Sequence, residues 1–212
     1  MKLRSFILLF VFLLVAACSS AEIESTPEPL STEEEAILLS TQLPPVPNYQ
    51  YHPLSVRTMI EEIDLVINAV EKGNPQELFV YLQTTCASVN ALGGPPPCRE
   101  GEAEGTPVEV MPFLESEGSF LRKEDIPNWT GLDVIGVHAV YEVSETVFSD
   151  PNYPAGDYAI ALVSPKGKPS IVLHITGDGI VRIDYVFEAY GSTLIDILQR
   201  EAAYIVLAPL TP

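Results

Sequence analysis

The chain has 212 residues, with 11 basic and 29 acidic side chains, and a net charge of −18 at pH 7. Such a surface repels phosphate backbones and anionic headgroups, which argues against nucleic-acid binding and against direct contact with anionic lipid. The length suits one domain with extensions.

The first residues read as a targeting segment. Lys2 and Arg4 supply positive charge, Phe6 to Val15 is unbroken apolar chain, and Ala16 and Ala17 lead into Cys18. The apolar run is about half of the ~20 residues a membrane-spanning helix needs, which favours a signal peptide over an uncleaved anchor. "VAAC", Val15 to Cys18, resembles the lipobox of bacterial lipoproteins, although Val15 stands where that family usually has leucine. The resemblance implies that residues 1–17 are removed and that Cys18 becomes a lipidated N-terminus. The protein is then held to a membrane by acyl chains, facing outside the cytoplasm. Ser19 would favour an outer membrane where one exists. Two or more acyl chains anchor stably, whereas one is marginal. Loss of Lys2 and Arg4 leaves nine basic against 29 acidic side chains, net −20.

Residues 18–48 are rich in Ser, Thr, Glu and Pro and nearly free of aromatics, the composition of a disordered tether. Within it Ser31 and Glu34 form a capping box ahead of a short apolar stretch. The remainder, 49–212, reads as a single domain. Val56, Met59, Ile60, Ile63, Val66, Ile67 and Val70 recur at helical spacing, and predict a helix from about Ser55 to Lys72 capped by Ser55 or Thr58. Asn74-Pro75 with Glu77 predicts a second helix to about Gln83.

Cys86 and Cys98 flank "ASVNALGGPPP". With Cys18 lipidated they are the two remaining thiols, and in an oxidising compartment they read as a disulfide. A redox pair or two metal ligands are the alternatives; the spacing is not C-x-x-C, and no nearby His completes a metal site. The stretch 86–130 otherwise reads as loop, with a short strand at Val108–Met111 and a helical turn before Pro127.

Beyond Gly131 the period becomes two. Ile135, Val137, Ala139, Tyr141 and Val143 alternate with Gly136, His138, Val140, Glu142 and Ser144. Three further strands follow at Tyr158–Ser164, Ser170–Thr176 and Ile180–Phe187, joined by short turns that make them antiparallel. A helix is expected over Thr193–Leu207, from Leu194, Ile197, Leu198 and Ile205. The fold class is therefore α+β: a long N-terminal helix and a short second helix on a curved antiparallel sheet of about four strands, plus a C-terminal helix. This order resembles the cystatin-like cone of the NTF2-like superfamily, which implies a helix packed into a curved sheet, often over a pocket; the C-terminal helix departs from it. "LGGPPPC…GEAEGTPVEV" is similar to a segment of uncharacterised exported bacterial proteins and implies no activity.

The last hairpin brings candidate chemistry together. With Gly177-Asp178-Gly179 as a three-residue turn, Thr176 pairs with Ile180, His174 with Arg182 and Val172 with Asp184. His174, Arg182 and Asp184 then share one face, which His138 could join. Such a set could bind an anion or do acid–base work, or it could be ordinary cross-strand pairing on a solvated face. "DPNYPAGD" offers Asp150, Asn152 and Asp157 but departs from a calcium loop at Pro154. No cofactor or metal is expected. The leading expectation is a lipid-anchored domain that binds a protein or small-molecule partner without catalysis. A small-pocket enzyme using His and Asp, and a structural envelope protein, are the alternatives.

Overall fold

The computed structural model describes residues 50–88, 94–114, 119–144, 151–185, 195–196, 198–200 and 202–210. These fall in a compact unit, Pro47–Pro212. Cys18, the signal segment and the tether with its capping box lie outside the described residues, as do Gly93 and Asp150.

The α-helix α1 spans Glu61–Glu71. The strands are β1 Leu82–Thr85, β2 Pro107–Leu114, β3 Ser119–Arg122, β4 Gly136–Val143, β5 Tyr158–Val163, β6 Pro169–Thr176, β7 Gly179–Tyr185 and β8 Ala202–Leu207. They form one eight-stranded sheet in the order β1-β2-β7-β6-β5-β4-β8, with β3 on the other side of β2. Every pairing is antiparallel except β2 with β7, where Phe113 and Leu114 lie parallel to Ile183 and Asp184.

This corrects the expected fold. Among the described residues the protein is mostly β, with a mixed sheet twice the expected size and short helices only, so the resemblance to the NTF2-like cone fails. Four local effects explain the difference. The first helix begins late because Met59 takes a left-handed backbone (φ 69°). Asp64 fixes that turn, its carboxylate accepting from the Thr58 amide (2.6 Å), the Thr58 hydroxyl (2.9 Å) and the Met59 amide (3.1 Å). Met59, expected in the core, is 91 % exposed. The second helix is a single 3-10 turn, Pro75–Leu78, after which the chain turns to strand β1. Between Leu82 and Arg122 the chain forms β1, β2 and β3, where the short strand expected at Val108–Met111 falls within β2. Of the expected C-terminal helix, the described residues 195–196 and 198–200 are helical, but Ala202–Leu207 pairs with β4 as β8.

The central strands β4 to β7 are buried on both faces. One face carries Val137, Val140, Ile160, Leu162, Ile171, Leu173, Ile175, Ile180 and Ile183, packed under Ile63, Val66, Ile67 and Val70 of α1. The other carries Ala139, Tyr141, Ala159, Ala161 and Val172 beneath Ile195 and Leu198. Val137 and Val140 share a face although three residues apart, because the register with β5 shifts between Val137 and Ala139. His138 is the extra residue of that bulge, and the expected strict alternation along β4 breaks there.

Candidate functional site

The β6–β7 hairpin differs from expectation at its tip and agrees with it further in. Thr176 pairs with Gly179, so the turn is the two-residue Gly177-Asp178. The register then shifts between His174 and Ile175, because Val181 is an extra residue on β7. That bulge restores the pairing of His174 with Arg182 and of Val172 with Asp184. It also corrects the core assignment. Ile180 enters the face beneath α1 with Ile183, whereas strict alternation along Ile180–Phe187 would put Val181 there. Gly179 is required here, since a Cβ would collide with the Leu78 carbonyl.

His174, Arg182 and Asp184 meet, and they are buried rather than solvated, at 0 %, 5 % and 2 % exposure. Arg182 lies along the Asp184 carboxylate, its Nε donating to Oδ1 (2.7 Å) and its Nη2 to Oδ2 (2.8 Å). Arg182 Nη2 also lies 2.8 Å from His174 Nε2, and Arg182 Nη1 donates to the carbonyls of Tyr153 (2.9 Å) and Pro154 (3.3 Å). His174 Nδ1 donates to the Ala155 carbonyl at 2.7 Å, since a carbonyl can only accept. His174 Nε2 also lies 2.9 Å from Asp184 Oδ2, so Asp184 is within reach of both the guanidinium and the imidazole. Burial opposes the charge on Asp184, but His174 and Arg182 outweigh it and hold the carboxyl below its ordinary value.

The partners that sequence reasoning missed are the carbonyls of Tyr153, Pro154 and Ala155. They belong to "DPNYPAGD", weighed above for its side-chain oxygens alone. The segment is laid over β6 by the Asp157 amide, which donates to the Ile175 carbonyl (2.7 Å), and by Gly156 at φ 73°, where a Cβ would lie 2.7 Å from that same oxygen. Tyr153 stacks on Phe120 of β3, with ring centroids 5.2 Å apart. His138 sits elsewhere: it is on β4, and β5 lies between it and His174.

Cys86 and Cys98 are joined in a disulfide with Cα atoms 4.8 Å apart. The bond fastens the end of β1 to a loop organised by a buried arginine. Arg122 donates to both oxygens of Glu102 (2.8 and 2.9 Å) and to the Pro97 carbonyl (2.6 Å). The hydrogen bond from Arg122, with a second from the Arg99 amide, pulls the Glu102 carboxyl down to about 2. The sulfurs and Glu102 lie together, but each is already engaged.

No family model matches the chain, and neither a curated protein nor a solved structure is significantly similar to it.

Proposed function

We propose that the protein is a lipid-anchored, extracytoplasmic domain that binds a ligand or supports a partner without catalysis, held through acylated Cys18. The observation that carries the reading is the pairing of a lipobox-like "VAAC" with a disulfide between Cys86 and Cys98, because both belong to an exported, oxidising setting. The non-catalytic part is supported by His174, Arg182 and Asp184. These were the strongest acid–base candidates, and their polar atoms are engaged with one another and with main-chain carbonyls. Mass spectrometry of the membrane fraction tests the anchor. A diacylglyceryl-modified Cys18 at the N-terminus is expected; an intact Met1, or an unmodified N-terminus in the soluble fraction, would overturn it.

A further inference from the structure

Cys86 and Cys98 are held in place by more than the bond between them. The Cys86 amide donates to the Thr106 carbonyl and the Gly105 amide to the Cys86 carbonyl, each at 2.9 Å. The Cys98 amide donates to the Ala87 carbonyl (2.9 Å), and the Ala87 amide to the Pro96 carbonyl (3.0 Å). Both cysteine backbones are therefore fixed by main-chain hydrogen bonds that do not involve sulfur. Within this frame a carboxylate oxygen of Glu102 and the two sulfurs all lie within 4.8 Å of one another. An ionised carboxylate offers about four lone pairs. On Glu102 three are taken, two by the Arg122 nitrogens and one by the Arg99 amide at 2.8 Å, which leaves one open. Cys86 is 2 % exposed, whereas Cys98 and Glu102 are partly exposed.

We propose that Cys86, Cys98 and Glu102 form a redox-gated site for a zinc-like divalent cation, closed while the disulfide is intact and opened by its reduction. The inference goes beyond the proposed function and does not depend on it. The reductant is an external dithiol. Its two electrons and two protons convert the disulfide to two thiols, and it leaves as a cyclic disulfide. The cation then displaces both thiol protons to solvent and binds two thiolates and one carboxylate. Borderline-soft zinc accepts that donor set, with water in the fourth position. Charge supports the assignment. Two thiolates and one carboxylate carry three negative charges, and the cation with the adjoining guanidinium of buried Arg122 carries three positive ones. Cys98, on the exposed side, gives the cation its path in and has room to turn its sulfur away from Cys86. Cysteine spacing alone did not reveal the set, because its third ligand is a carboxylate positioned by Arg122 from β3.

Zinc binding by the full chain carrying Cys18→Ser, which leaves Cys86 and Cys98 as its thiols, is the test. The chain is reduced with a phosphine, desalted without oxygen and titrated with zinc chloride at pH 7.5, beside its oxidised form. The reduced form should take up one zinc ion per chain, about a hundredfold or more tightly than the oxidised form, with about two protons released. Cobalt(II) in place of zinc should give thiolate-to-metal charge-transfer absorption. Far-ultraviolet circular dichroism of the reduced, metal-free chain should match that of the oxidised chain. Glu102→Gln keeps an acceptor for Arg122 and should weaken zinc binding about tenfold or more. Equal zinc affinity in the two redox forms would overturn the site, as would undiminished binding in Cys86→Ser or in Glu102→Gln. Loss of the native dichroism on reduction would overturn it too, since the fold would then not hold the ligands together.

Discussion

A buried carboxylate beside a buried arginine stabilises a fold only while both are present. Arg182 and Asp184 are each almost fully buried, and between them they hold the Tyr153–Ala155 segment through Arg182 and His174. Arg182→Leu leaves the buried Asp184 carboxylate with His174 as its remaining partner. It should cost about 3–5 kcal/mol in urea unfolding, whereas changing His174, Arg182 and Asp184 together to apolar residues of similar size should recover most of that loss. An effect of Arg182→Leu below about 1 kcal/mol would show that the network contributes little. The pH dependence has a definite sign. The folded-state value for Asp184 lies below its ordinary 3.8, so its contribution is present above that pH and is lost as the pH falls through it. At this scale the sequence was informative about which side chains meet. Alternation along β6 and β7 put His174, Arg182 and Asp184 on one face. It could not show burial, because the cover comes from backbone carbonyls, and a carbonyl leaves no mark in residue type.

Among the elements, α1 and the sheet face beneath it form the main packing contact. Ile63 is fully buried there with Leu173, Ile175 and Ile183, while Glu62 is only partly covered. Ile63→Ala should therefore cost about 2–5 kcal/mol, the range for deleting a large buried aliphatic side chain. Glu62→Ala should stay within about 0.5 kcal/mol. Denaturant melts of the two variants compare them directly, and equal effects would mean that the buried face of α1 is elsewhere. Helical periodicity located this face correctly at Ile63, Val66, Ile67 and Val70 but placed the helix start too early. The Asp64 carboxylate acts through a tertiary turn that periodicity does not register. The C-terminal error has a different cause. Leu194, Ile197, Leu198 and Ile205 fit a helix by spacing, but Tyr204, Ile205 and Val206 are β-branched or aromatic residues suited to a pleated surface. Short apolar runs of this kind are ambiguous between helix and strand. Pairing with β4 decided the outcome.

For the whole molecule, the part least legible in the sequence was the extent of the sheet. β1 and β3 have four residues each, so neither repeats long enough to declare itself; of β2, which contains Pro112, only Val108–Met111 read as strand. Their pairing is non-local, and the parallel contact of β2 with β7 joins residues about 70 apart in sequence. The charge of the molecule, by contrast, was legible at once and leads to a prediction about salt. A net charge of −18 at pH 7 makes the folded state repel itself. Opposing this are exposed ion pairs, Arg57–Glu71, Arg99–Asp125 and Lys123–Glu109. Each such pair contributes about 0–1 kcal/mol, and salt screens pairs and repulsion alike. The acidic excess spans the whole chain whereas these exposed pairs, among the described residues, are three, so repulsion should be the larger quantity. Raising sodium chloride from about 0.02 M to 0.5 M shortens the screening length from tens of ångströms to a few. At pH 7 this should raise the melting temperature by several degrees, with 1 kcal/mol corresponding to about 2–4 °C in a domain of this size. Calorimetry at the two salt concentrations measures it. A lower melting temperature at high salt would mean that the ion pairs outweigh the repulsion.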